Sequence, residues 1–565
     1  MTRKVRHFWA ADCETDPFDG QIIPEPFIFG IVGGPSHEYH MFYVMDEFVN
    51  FMREIDGDIY FHNGGKFDTF YFRGEANVST QYPPEEPILM INSRLSDFGL
   101  GEARILDSFN LLPTKLANLR KEKFEYSILR EDRRDIPANK ILIADYLRSD
   151  CVNLHAAVTA HRLEHGVTKT QAGAAMRAMY KSKGIRPPKQ TPSEFQCYRR
   201  FMAGGHVQCF PDESGAWNRI GVDMTLADIN SAYPRAMRLR HPYSTSGIVS
   251  HRLPNIDDMH KSMIEFDGIS RGGLFCRDSK GNIYYPDDKK VHRFCVPGYE
   301  LIAALECESV DIVRHIESHI FTHTVHAEEF IDLNWNKRTE AKARGDLMMS
   351  TIYKLNMNSA YGKHGADPSE YEETILCHPD RIAFYESHGY TQELWWRHDK
   401  MLMSRPLPEE KQRFYNVAYA ASITGCVRGE WHRGYSACQG VVYGDTDSIL
   451  AIDASRLNFG DGLGQWKNEG VFDAAFVGGK KLYAFHKKNH PWTDLMDDEG
   501  NFLHWKTASK GARLLPSEIV AMCQGKQTTY HPQAPTYSVR LERPVFIPRN
   551  ISITAKDVRY MSEVL

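Results

Sequence analysis

The chain has 565 residues, too many for one hydrophobic core and enough for two to four domains. Its apolar content of 42% is ordinary for a soluble globular protein, and no apolar run approaches the length of a membrane span. The net charge of −5 does not announce a nucleic-acid binder, so bulk composition alone favours a small-molecule enzyme.

The basic start, MTRKVRHFWAADCET, holds only a short apolar run interrupted by Asp12, which argues against a signal peptide. Eleven cysteines lie scattered with no CxxC pair, which argues against a zinc site or a disulfide framework and fits a reducing cytoplasm. His7 to Ala11 predicts a strand. If it continues, Asp12 and Glu14 share one face, because side chains alternate with period two. Asp58 to Asn63 is again strand-like. Gly64 and Gly65 break it, and Asp68 falls near the start of a helix or extended turn. Apolar spacing predicts a helix over 139–165, with Tyr146 and Asp150 on one face. Each acid alone is most simply a solvated surface group. Together, Asp12, Glu14, Asp68 and Asp150 are a set that could hold two divalent ions about 4 Å apart.

Phe201 to Gly205, FMAGG, offers two adjacent glycines able to approach another backbone closely. Val222 to Tyr233 predicts a strand entering a turn that Pro234 closes, with Asp228 near its end. From Lys337 to Lys363 six basic residues face two acidic ones, the local excess a phosphate-rich ligand needs. Lys354, Asn358 and Tyr361 are spaced four and three apart, so one helical face is expected to carry them. Arg338 and Lys342 are expected to face Lys354 across a helical hairpin. VVYGDTDSILAI, Val441 to Ile452, reads as a β-hairpin whose tip sets Asp445 and Asp447 two residues apart. Two anions so close repel, and a divalent cation with oxygen ligands removes that cost. Asp and Gly are ordinary turn residues, so the tetrapeptide alone would be a polar turn.

The longer strings are more specific. YGDTDS resembles motif C of family B DNA polymerases, DINSAYP motif A, and KLNMNSAYG motif B. DCET, HNGGKFD and YLRSD resemble the three motifs of a DnaQ-like 3′–5′ proofreading exonuclease. The resemblance implies two metal centres, Asp228/Asp445/Asp447 for synthesis and Asp12/Glu14/Asp68/Asp150 for editing, each holding two Mg²⁺ that Mn²⁺ can replace. It further implies that Tyr146 positions the attacking water, and that His62, Asn63 and Phe67 hold the frayed 3′ end. Ser108 and Phe109 become single-strand contacts. Ser231, Tyr233, Arg338, Lys342, Lys354, Asn358 and Tyr361 become nucleotide contacts. Gly204 and Gly205 meet the template, though Met202 sits where the family has Tyr. Thr424, Arg428, Lys481 and Tyr483 meet the primer.

Motif order and two intervening stretches resemble the protein-primed subgroup of phages and linear plasmids, with wording closest to tectivirus-type members. The fold class this implies is α/β and α+β multidomain, an RNase H-like exonuclease followed by a right-hand polymerase. The expected boundaries are 1–165 exonuclease, 166–238 linker and palm, and 239–328 a first insertion that docks a terminal protein. Then follow 329–365 fingers, 366–412 a second insertion for processivity and strand displacement, 413–514 palm and 515–565 thumb. Expected partners are DNA template and primer, dNTPs and a terminal protein, for a monomer working off the membrane in a host cytoplasm. Three other readings stand beside this one. They are a polymerase starting from ordinary primers or none, a non-catalytic DNA-binding replication factor, and a stand-alone nuclease. The last leaves Lys354, Asn358 and Tyr361 unexplained.

Overall fold

The apolar run after His7 continues through both acids as one strand, Phe8–Thr15. Its neighbours explain why it can. It pairs antiparallel with Pro26–Gly33 and parallel with Gly57–Phe61, so it is a central strand buried on both faces. The computed structural model describes residues 7–16, 24–91, 94–114, 124–183, 188–213, 215–397, 399–497, 500–509, 512, 514–526, 536–538 and 543–545. The expected thumb, 515–565, therefore lies mostly outside the described residues. Among the described residues no helix is long and apolar enough to cross a membrane.

Glu38–Phe42, Pro26–Gly33, Phe8–Thr15, Gly57–Phe61 and Ala103–Asp107 lie side by side in that order, with an RNase H-like mix of antiparallel and parallel pairs. The helix Pro137–His165 crosses this sheet. Proline at its first position supplies a preset φ, and Gly166 at φ 71 ends it. The same sheet then runs on through Arg94–Leu100 and Pro87–Ile91 into three strands from far along the chain, Glu372–Cys377, Lys400–Pro406 and Thr391–Arg397. Thr374 pairs with Ile88, and Ile375 with Pro87. The stretch expected as the second insertion, 366–412, thus continues the N-terminal sheet. Leu376, Trp396 and Leu402 belong to its core, and Trp396 Nε1 donates to the Arg73 carbonyl at 2.8 Å.

A second, seven-stranded sheet holds the expected palm. Its order is Trp505–Ser509, Leu482–Lys487, Trp466–Gly479, Arg219–Ile229, Ser448–Asp453, Gln439–Asp445 and Val207–Cys209. The helix Val417–Ala437 packs behind it. Pro234 does not close a turn but sits in the first turn of a short helix, Ala232–Met237, where a missing N–H costs nothing. The expected helical hairpin is present as Glu328–Ala343 and Leu347–Ser359. Tyr361 falls just beyond its second helix rather than on it. The stretch expected as the first insertion, 239–328, contains a four-stranded antiparallel sheet built on Ser262–Ser270 and Val310–Ile320, with the helix Gly298–Glu306 against Val417–Ala437.

The shared sheet makes a prediction. Trp396 is 1% exposed, and the Arg73 guanidinium lies over its ring at 4.0 Å. Trp396→Ala should remove roughly 3–5 kcal/mol of stability and lower the thermal midpoint by several degrees. An unchanged midpoint in thermal unfolding contradicts a load-sharing sheet.

Candidate active sites

Strand alternation puts Asp12 and Glu14 on one face, and Asp150 reaches them from the crossing helix. Their carboxylate oxygens all lie within 4.8 Å of one another. Asp68 follows the Gly64-Gly65 break and accepts from the Cys13 thiol at 3.1 Å. Burial pushes Asp12 and Glu14 well above the usual carboxylate range, and the other acids add to it, Asp68 foremost for Asp12 and Asp150 for Glu14. Burial also raises Asp68 to about 6. Four hard oxygen donors held against their own repulsion suit divalent cations.

Around this cluster the predicted contacts divide. Tyr146 stacks on Phe124, ring centroids 3.9 Å apart, and its hydroxyl meets that of Tyr126 at 3.1 Å. Burial and then Asp150 push its phenol upward. Phe67 packs edge-on to Tyr71, and Asn63 adopts a left-handed φ of 59°. His62 donates Nε2–H to the Thr114 carbonyl at 2.8 Å, and its Nδ1 faces the Ser108 hydroxyl at 2.9 Å. Burial lowers its pKa. Ser108 is fully buried and bonded to His62 and the Phe61 carbonyl, so it supports the His62 ring. Phe109 stays half-buried, 5.9 Å from the His62 ring. Asp107 went unnoticed in the sequence. Its carboxylate accepts from the backbone N–H groups of Asn63, Gly65 and Phe109 and so ties the two loops together. An Asp before Ser and Phe at a strand end, a turn-capping pattern, was the available signal.

In the palm, Asp228 lies opposite Ser448, and the Ile229 N–H donates to the Asp447 carbonyl at 2.8 Å. Asp445 and Asp447 flank Thr446, a β-branched residue at φ 61. Such a residue stays left-handed only where its surroundings hold it. Here its N–H donates to the His206 carbonyl at 2.6 Å and its hydroxyl to Asp445 Oδ1 at 2.9 Å. A Cβ on Gly205 would stand 2.6 Å from that hydroxyl, and one on Gly444 would stand 2.2 Å from the Trp431 ring, so both close approaches need glycine. Gly204 faces open space. Burial, then Asp228 and Asp445, raise Asp447 to about 7, and burial and Glu469 raise Asp228. The three palm carboxylates do not converge within the 4.8 Å of the N-terminal trio. Lys481, itself at φ 57, pairs with Asp445 Oδ1 at 3.1 Å, and Tyr483 stacks on Phe485 at 4.1 Å.

Lys354 and Asn358 share the exposed face of Leu347–Ser359, while the Tyr361 ring stacks on Tyr233, 4.7 Å apart and 11° from parallel. Ser231, at φ 54, turns the chain from Asp228 into Tyr233. Arg338 leaves its buried Nε without a partner, and Arg338, burial and Lys354 together lower Lys342. Unneutralised cations gathered this way suit a polyanion. Thr424 and Arg428 are the residues expected to meet the primer. Both are buried. Thr424 donates to the Ala421 carbonyl, and Arg428 to the carbonyls of Ala203 and Gly204 at 2.7 and 2.9 Å and to Glu300 at 2.9 Å. Long-range burial hid this from the sequence.

An RNase H-like sheet with one acidic cluster, joined to a palm sheet with another, defines a family B DNA polymerase. Comparison with known proteins agrees. A family model for DNA polymerase type B, organellar and viral, matches residues 129–412. The DNA-directed DNA polymerase of Enterobacteria phage PRD1 is 32% identical over 528 residues, covering 92% of this chain and 88% of its own. A probable DNA polymerase of Neurospora intermedia is 26% identical over 175 residues, 30% of this chain and 18% of that one. Phi29 DNA polymerase, 17% identical, shares the fold with a TM-score of 0.72 over 97% of this chain and 100% of its own, and its complex with primer-template DNA and incoming nucleotide gives 0.71 over the same shares. The chain belongs to the organellar and viral type B DNA polymerases, and it is a DNA-directed DNA polymerase of the PRD1 and phi29 type.

The raised carboxylates carry a pH signature. A folded-state pKa above the ordinary 3.8 means the folded chain holds its proton longer than the unfolded one. The metal-free fold therefore loses stability as pH rises from 3.8 through about 6 for Asp68 and about 7 for Asp447. Mg²⁺ should restore it, and should raise the thermal midpoint more at about pH 8 than at about pH 5, where protons compete. An equal Mg²⁺ shift at both contradicts metal binding by these groups.

Proposed function

We propose that this polymerase replicates the genome of a phage or mobile element inside a host cell, starting from a terminal protein, and that it edits its product with a 3′–5′ exonuclease. The observation that carries the reading is two separate sets of acids, Asp12, Glu14 and Asp150 gathered at the N-terminal sheet and Asp228, Asp445 and Asp447 at the palm, with Asp12 and Asp447 raised by burial and by neighbouring acids. Divalent ions, Mg²⁺ by the hardness of the donors, supply a positive charge that offsets the carboxylates and the phosphates drawn to them. Asp228, Asp445 and Asp447 would hold them for synthesis, and Asp12, Glu14, Asp68 and Asp150 for editing.

The remaining residues do the positioning. Arg338, Lys342 and Lys354 bind the triphosphate, whose transfer depends mostly on placement and neutralised charge. Asn358 and the stacked Tyr233–Tyr361 pair pack the sugar and base, with Ser231 setting the turn beneath. Lys481 and Tyr483 meet the primer end, and Gly204 and Gly205 let the template pass close. In the editing centre Tyr146 orients water, while Asn63, Phe67, Phe109 and His62 hold the unpaired 3′ end, His62 being kept neutral by burial. Residues 239–328 and 366–412 would serve priming and strand displacement.

The two centres separate by mutation. Asp445→Ala should abolish incorporation on primed template and incorporation onto a candidate terminal protein, while degradation of single-stranded DNA continues. Asp12→Ala with Asp68→Ala should do the reverse. Equal loss of both activities in a folded variant contradicts separate centres. Incorporation with primed template but never with terminal protein would leave the ordinary-primer reading standing instead.

A further inference from the structure

Met202 to His206 joins the helix Pro192–Arg199 to the palm edge strand Val207–Cys209. The first insertion holds this short segment at three points. Arg277 donates to the Met202 carbonyl. Arg428 donates to the carbonyls of Ala203 and Gly204, and is itself fixed from the insertion side by Glu300 and by the Phe275 ring, 4.9 Å from its guanidinium carbon. Tyr285 lies flat on the His206 ring, centroids 3.5 Å apart and 13° from parallel. The other side of the same segment seats the palm turn. His206 accepts from the Thr446 N–H, Gly205 leaves the Thr446 side chain its space, and Val207 pairs with Asp445.

We propose that the first insertion positions the palm carboxylates, with Glu300 and Tyr285 as its positioning residues. The route is short. Glu300 and Tyr285 fix the carbonyls and ring of 203–206, that segment holds Thr446 in its left-handed conformation, and Thr446 sets the spacing of Asp445 and Asp447. Glu300 and Arg428 are both at most 2% exposed, so the pair is desolvated and mechanically stiff. Anything that docks on the insertion and shifts the helix Gly298–Glu306 or Tyr285 is therefore felt at the carboxylates. This rests on the reading of Asp445 and Asp447 as the synthetic centre.

Two variants test it. Tyr285→Leu keeps apolar bulk and loses the stack. Glu300→Gln keeps a hydrogen bond to Arg428 and loses the charge. Each should lower kcat on primed template about tenfold to a hundredfold, the usual scale for a misplacement near 1 Å, with little change in KM for DNA. Single-stranded DNA degradation should stay at the parent rate. In an Asp12→Ala background, where the palm centre dominates, Mn²⁺ binding followed by electron paramagnetic resonance should weaken several-fold. Parent kcat and parent Mn²⁺ affinity in Tyr285→Leu overturn the proposal, as does a parallel loss of synthesis and degradation in both variants, which marks a merely structural role. Synthesis retained by Asp445→Ala would instead sink the assignment of the centre itself.

Discussion

Like charges held closer than they would choose are the constraint around which this molecule is arranged. A buried carboxylate beside others is unstable unless a cation or a proton joins it, and the fold must supply enough rigidity to keep such a set assembled. At the N-terminal centre that rigidity comes from a central strand buried on both faces, a long helix lying across it, and the Asp107 carboxylate gathering three backbone N–H groups. At the palm it comes from Trp431 packed on Gly444, with its indole N–H on the Ser448 carbonyl, and from the His206–Thr446 bond. Of the eight described non-glycine residues with positive φ, four (Asn63, Ser231, Thr446 and Lys481) sit at these two centres, where stored backbone strain is expected.

The two centres share a frame rather than a flexible joint. Ile352, on the helix that presents Lys354, is buried in the core of the N-terminal domain. Beside it a buried polar chain runs from His161 to Gln171 at 2.8 Å, to Asn356 at 2.7 Å and to Asn334 at 3.1 Å. Each link is almost fully desolvated, so breaking one leaves an unpaired group at a cost of about 1–3 kcal/mol. The strands from 372 to 406 add to the frame by extending the N-terminal sheet.

Legibility in the sequence followed range. The palm hairpin, the helix over 139–165 and the Asp12–Glu14 face rest on local periodicity, and all three are present at nearly the expected bounds. Motif wording located Lys354, Asn358 and Tyr361, though not the helix end that drops Tyr361 onto Tyr233. What sequence could not show depends on contacts between distant residues. Pairing of Thr374 with Ile88 has no local signature, so residues 366–412 read as separate. The burial of Arg428 and Ser108, and their bonds to Ala203, Gly204 and Phe61, likewise have no local signature. Asp107 was hidden for the opposite reason, being a turn-type residue among many.

The two carboxylate sets are spatially separate, and the donor chemistry of each is that of a divalent-ion site. Anomalous scattering from crystals soaked in Mn²⁺ tests it most directly. Mn²⁺ peaks are expected between Asp12, Glu14, Asp68 and Asp150 and others between Asp228, Asp445 and Asp447, with the first set lost in Asp12→Ala and the second in Asp445→Ala. Mn²⁺ bound at one cluster only, or at neither while it binds elsewhere on the chain, would contradict it.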